Sequence, residues 1–170
     1  MNVKILKIDI NDLVDAKILD AKSIKVNLPS ITDGWIFNFK KHAKEKNHEV
    51  YILICEETPD IIEGCLIFEM KGKIEPYMAF IEVAPHNKGN DKRYDRIAGC
   101  LIAFACRLSF KNGKGDYLGY LTFDVQEENK EDEIKLMAVY SKKYNALKYG
   151  ATTMIIPPSG GEKLINEFLS

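Results

Sequence analysis

The chain has 170 residues, 46% of them hydrophobic and 29% charged, which suits one domain (1–170) with a real core and excludes a disordered or fibrous protein. Lys plus Arg number 24 against 25 Asp plus Glu, so the net charge of -1 gives no general electrostatic reason to expect nucleic acid or an anionic membrane as partner. The opening MNVKILKIDIND alternates and carries charge, and no apolar run reaches membrane-spanning length, so the expected setting is the cytoplasm.

Taken in chain order, VKILKIDI predicts a first strand over 3–10, and Asn11 or Asp12 is placed to cap a helix running through residue 20. GWIFNFKKHAKEK predicts a second helix over 34–46. Three strand-like runs follow closely, VYILICEE, IIEGCLIFEMK and YMAFIEVAP, separated by the short turns TPD and GKIEP, which argues for antiparallel hairpins. Residues 96–110 are apolar nearly all round, the mark of a helix packed inside the domain. YLGYLTFD reads as a fifth strand, KEDEIKLMAVYSKKY as an amphipathic helix and TTMIIPP as a last strand. SGGEKLINEFL is the closing helix, with Ser159 and Glu162 at capping-box spacing. The order β, α, α, β, β, β, α, β, α, β, α is mixed α/β with an antiparallel front half. Cys55, Cys65, Cys100 and Cys106 lie in apolar segments without a CxxC pair and read as reduced, buried thiols. The scattered histidines offer no metal site.

The stretch VAPHNKGNDKRYDRIAGC passes from strand through a charged turn into the apolar helix. The first amides of a helix have no intrahelical partner, and with the helix dipole they favour an anion such as a pyrophosphate. Lys92, Arg93 and Arg96 add positive charge there, while Ala98 and Gly99 leave room close to the backbone. The same residues also make an ordinary solvated basic turn before a core helix.

FIEVAPHNKG, then RYDRIAGCLIAFA, a glycine-containing connection, a strand and VYSKKYNA resemble, in that order, the GNAT superfamily of acyl-CoA-dependent N-acyltransferases over residues 50–154. The resemblance implies the GNAT fold, a central mostly antiparallel mixed sheet of about seven strands with helices on both faces, and acetyl-CoA as co-substrate. Its pyrophosphate motif, RxxGxG or RxxGxA, falls on Arg93, Tyr94, Asp95, Arg96, Ile97, Ala98 and Gly99, with Arg96 where the family places glycine. An arginine there either pairs with phosphate or obstructs the cofactor. The resemblance further implies that strand 77–84 splays from strand 117–124, and that backbone groups around Ile81 and Val83 pair with the pantetheine arm.

Transfer of an acyl group from a thioester to an amine needs a proton acceptor and is helped by a donor to the departing thiolate. Glu82 is the first candidate for the acceptor, or else an acid facing solvent on an alternating strand; His86 is the second. The family's tyrosine acid falls on Ser141, with Tyr140 one residue before it and Asn145 at the usual glycine. Residues 22–46 align with one wall of the acceptor site, where Trp35, Phe37 and Phe39 either line the site or belong to the core. The acidic run at 126–133 either draws in a cationic amine or is a solvated helix start. The resulting expectation is an N-acetyltransferase acting on an amine of unidentified structure, with no nucleic-acid or membrane partner and with a homodimer allowed. The alternative is a GNAT-fold module that binds acyl-CoA or a protein without chemistry.

Overall fold

A computed structural model describes residues 1–170. It begins with a hairpin, β1 (Asn2–Lys7) and β2 (Asp12–Asp20), turned at Asn11, whose φ is 50°. The helix expected over 12–20 is therefore a strand. The physical reason is period 2: Val14, Ala16 and Ile18 point to the same side as Val3 and Ile5 of β1, and the pairing Val3↔Ala16 and Ile5↔Val14 buries that side. The second expected helix shrinks to α1 (Phe39–His42), preceded by a 3-10 turn at Ile31–Asp33 and by an irregular, bent segment at 35–37. Asn38 ends that segment and caps α1 by accepting from the Lys41 amide at 3.0 Å.

The three hairpin strands are β3 (Glu49–Cys55), β4 (Thr58–Lys71) and β5 (Glu75–Val83), antiparallel as their turns require. There follow β6 (Tyr94–Asp95), α2 (Ile97–Asn112), β7 (Leu121–Asp124), α3 (Lys130–Tyr144), β8 (Leu147–Lys148), β9 (Thr153–Ile156) and α4 (Pro158–Phe168). One sheet takes them in the order β6-β1-β2-β3-β4-β5-β7-β9-β8. It has nine strands instead of about seven, because the two-residue strands β6 and β8 close its edges. All neighbours are antiparallel except β5 and β7.

The two faces of the sheet are packed differently. Ile5, Ile18, Leu53, Leu66, Phe68, Met78, Leu121 and Phe123 meet α2, α3 and α4 in the larger core. Val50, Ile52, Ile54, Cys65 and Ile67 meet Trp35 and Phe39 in a smaller one. As its composition demands, α2 is buried nearly all round. It lies close to the sheet because β4 has Gly64 beneath it; a Cβ there would come within 2.6 Å of Ile97 and 2.9 Å of Leu101. Capping of α4 differs from expectation. Pro157 is its N-cap and Ser159 is exposed, so the helix starts on the fixed φ of its prolines, and Gly161 lets it approach Cys106. All four cysteines are buried and free. No helix is long and apolar enough to cross a membrane.

Candidate active site

Between β5 and β7 the sheet opens. The two parallel strands share a single pair, Tyr77↔Thr122, after which β5 continues for six residues without a partner on that side. The Ala84 amide donates to the Glu63 carbonyl at 2.9 Å, and antiparallel pairing alternates, so Glu82 likewise faces β4 while the backbone groups of Ile81 and Val83 point to the open side. Just past the last β5/β7 pair, β5 bulges at Ala79, opposite the Ile67/Phe68 step of β4, and both Ala79 and Phe80 turn toward the smaller core. Phe80 there meets Phe37 at 5.2 Å and stacks on the His42 ring at 4.2 Å, while Trp35 and Phe39 are core residues.

The polar turn after β5 is hung from a carboxylate that sequence reasoning passed over. Glu63 of β4 is wholly buried; its Oε2 accepts from Asn87 Nδ2 at 2.7 Å and lies 2.5 Å from His86 Nε2. Asn87 Oδ1 in turn accepts from the Tyr94 amide at 3.0 Å, and the His86 carbonyl from the Arg93 amide at 3.0 Å. A lone acid inside the apolar run IIEGCLIF is the sequence signal for it, since such a group is buried only when it is paired.

At the end of this turn α2 begins, and its first amides, those of Ile97, Ala98 and Gly99, have no helical acceptor. The Arg96 amide is taken by Asp95 Oδ1 at 2.7 Å. Arg96 itself is in the left-handed region at φ 72°, the conformation that the family's glycine would adopt without cost. Its side chain neither reaches toward the turn nor blocks it. Arg96 Nη2 donates to the Glu167 carbonyl at 2.9 Å and the guanidinium lies 4.7 Å from the Phe168 ring, so it clamps the end of α4. Gly99 serves the same junction: a Cβ there would meet the Phe168 ring at 2.2 Å. Arg93 is exposed and forms no ion pair, whereas Lys92 pairs with Asp95 at 2.8 Å. Burial pushes the Asp95 carboxyl up, but Lys92 and the Arg96 amide outweigh it and hold it below the ordinary value. The Tyr94 side chain is in the core, so it offers the turn only its backbone.

Glu82, the first candidate for proton acceptor, points to the smaller-core face and is 6% exposed. Its carboxylate accepts from the amides of Ile36 and Phe37, both at 2.9 Å, and from Lys88 Nζ at 2.6 Å. It thus ties the 35–37 segment to β5, and three donors already hold its two oxygens. Near the end of α3 Tyr140 faces inward, packed 4.7 Å from Phe123 of β7; burial pushes its phenol up to about 12. Ser141 is exposed. Asn145 ends the helix at φ 58°, a left-handed cap at the position where the motif places glycine. Tyr144 packs against the larger core, and burial raises its phenol as well.

Two residues that sequence reasoning used only as strand limits meet across the opening. Tyr77 Oη donates to Asp124 Oδ2 at 2.6 Å, and Asp124 Oδ1 accepts from the hydroxyls of Thr152 at 3.0 Å and Thr153 at 2.9 Å. The Tyr77 hydroxyl foremost, with the two threonines, holds the Asp124 carboxyl below the ordinary carboxylate range.

No protein-family model matches the sequence, and no curated protein matches it. Solved structures do match. The KacTA–DNA complex aligns with a TM-score of 0.57 at 12% identity over 89% of this chain and 99% of that one. A mutant AtaT toxin bound to the C-terminus of the antitoxin AtaR and to acetyl-CoA gives 0.54 at 14% identity over 88% and 96%. A chimera of spermidine N-acetyltransferase SpeG from Vibrio cholerae and hSSAT gives 0.50 at 18% identity over 75% and 77%. With a DNA complex among these neighbours, the expectation of no nucleic-acid partner has no support from the fold. The sheet order, the opening between β5 and β7 and these likenesses together identify the architecture: the chain has the GNAT fold of the acetyltransferases.

Proposed function

We propose that this domain transfers an acetyl group from acetyl-CoA to a primary amine. The observation that carries the reading is the unpaired stretch of β5 leading, through a braced turn, to the free amides of α2. The bound co-substrate supplies an acetyl group activated as a thioester. The amides of Ile97, Ala98 and Gly99, with the Arg93 guanidinium, donate to its pyrophosphate, while Tyr94, Asp95 and Arg96 shape the turn through their backbone. The backbone groups of Ile81 and Val83 pair with the pantetheine amides as an added strand would. The fit is favoured by Arg96, which keeps the backbone conformation of a glycine and sends its side chain to α4. That placement removes the objection that Arg96 obstructs the cofactor.

Tyr140, rather than Ser141, is the proton donor to the departing sulfur: it faces inward beside β7, and with a phenol raised to about 12 it keeps its proton at neutral pH. Glu82 acts as a positioning residue that fixes the Ile36–Phe37 wall. The test is release of free thiol from acetyl-CoA in the presence of a panel of primary amines. Amine-dependent release that falls at least tenfold in Tyr140→Phe, with acetyl-CoA affinity unchanged, is the expected result. Amine-independent thiol release alone overturns the reading.

A further inference from the structure

Asp124 is an anion held in one orientation without a counter-ion. Three neutral hydroxyls, from Tyr77 on β5, Thr152 before β9 and Thr153 at its start, fix both carboxylate oxygens, yet the residue is exposed and forms no ion pair. Lys71 of β4 sits 3.4 Å from the centroid of the Tyr77 ring and makes no salt bridge. A carboxylate has about four lone-pair sites, and three donors leave one free on Oδ2. Met78 and Phe123 face the helices, so by alternation Tyr77 and Asp124 face the other side, where the aromatic wall of Phe37, Phe80 and His42 stands. Tyr77 is also the last residue of β5 paired with β7, so this group lies where the strands part.

We infer that Asp124 receives the acceptor as an ammonium cation beside the thioester, and that Tyr77 is its positioning residue. The inference rests on the acetyltransferase reading and adds the acceptor's class, an alkylamine that is protonated in solution. The helices α2, α3 and α4 pack on the opposite face, leaving this one for the acceptor. Held against the fixed carboxylate, the ammonium is oriented and gives one proton to solvent; the neutral nitrogen then attacks the acetyl carbon, the C–S bond breaks as the thiolate takes the Tyr140 proton, and the second nitrogen proton, lost as the amide forms, restores the phenol.

The test compares wild type, Asp124→Asn and Tyr77→Phe with two kinds of nucleophile, a panel of cationic alkylamines that includes spermidine, and hydroxylamine, which is largely uncharged at neutral pH. Asp124→Asn is expected to raise KM for the cationic amines roughly tenfold to a hundredfold and to leave hydroxylamine turnover unchanged. Tyr77→Phe, which removes one hydroxyl and keeps the charge, moves KM in the same direction by a smaller factor. Equal effects on both nucleophiles, unchanged KM for the alkylamines, or no alkylamine turnover by wild-type protein that binds acetyl-CoA overturns the assignment. Failure of the wild type to bind acetyl-CoA is a different result and removes the underlying reading.

Discussion

Replacing Arg96 separates three ideas about the start of α2. The side chain contributes a charged hydrogen bond to the Glu167 carbonyl at 2.9 Å and a guanidinium–ring contact at 4.7 Å from Phe168, against a left-handed backbone at φ 72°. A hydrogen bond from a charged donor contributes about 1.5–3 kcal/mol and a partly exposed cation–π contact about 0.5–1 kcal/mol. The buried, unpartnered Nε of Arg96 puts the sum near the low end, about 2 kcal/mol. A non-glycine residue in the left-handed region costs about 1 kcal/mol. Arg96→Ala therefore loses about 2 kcal/mol, whereas Arg96→Gly recovers the strain and loses about 1 kcal/mol. For a chain of this length each kcal/mol moves the midpoint of thermal unfolding by about 2–4 °C, so calorimetry should order the melting points as wild type, then Arg96→Gly, then Arg96→Ala. Acetyl-CoA affinity should stay within about threefold in both, because the side chain is not directed at the amides. A large rise in affinity in either variant means that the arginine obstructs the site, and a large fall means that it binds phosphate; both results refute the clamp.

Three other changes test neighbouring parts of the account. Gly99→Ala drives a methyl into the Phe168 ring, and thermal unfolding should register a loss of about 1–3 kcal/mol with early protease cleavage of the C-terminal helix. Glu82→Gln weakens the hold on the amides of Ile36 and Phe37 and unpairs Lys88; it should cost about 2 kcal/mol and expose 31–38 to proteolysis, whereas a loss of transfer at unchanged stability would make Glu82 the proton acceptor after all. The Asp124 carboxyl is depressed in the fold, so its hydrogen bonds stabilise the protein above the unfolded carboxyl range, about pH 4, and that contribution disappears as pH falls through the folded value. The stability gap between wild type and Asp124→Asn should be constant from neutrality down to about pH 5 and close below it, as followed by denaturant unfolding; a gap that widens with acid contradicts the assignment.

What could be read from the sequence was what depends on neighbours along the chain. The apolar character of α2, the acid-rich start and Asn145 end of α3, and the short turns joining β3, β4 and β5 are local signals, and the structure places those elements there. β2 was misread because DLVDAKILD carries apolar residues at spacings that satisfy a helix as well as a strand; pairing with β1, across a turn at Asn11, decides between them. The helix expected over 34–46 fails for a remote reason. Glu82, more than forty residues later, takes the amides of Ile36 and Phe37 and holds that stretch out of a helix. The site shows the same division. The turn from Arg93 to Gly99 was legible as a motif, but the support from Glu63 through Asn87 and the Tyr77–Asp124 bond join residues 24 and 47 apart, and no periodicity encodes them. The task of Arg96 was hidden for the same reason, since its partner Glu167 is 71 residues away.

The central claim, that the opening beside β5 and the amides of α2 hold a coenzyme A thioester, is tested most directly by isothermal titration of purified, cofactor-free protein with acetyl-CoA and, in parallel, with 3′-dephospho-acetyl-CoA and S-acetylpantetheine. The account predicts micromolar binding for the first two and a loss of at least tenfold for the last, which lacks the pyrophosphate. Equal affinity for all three, or no binding by any, would contradict it.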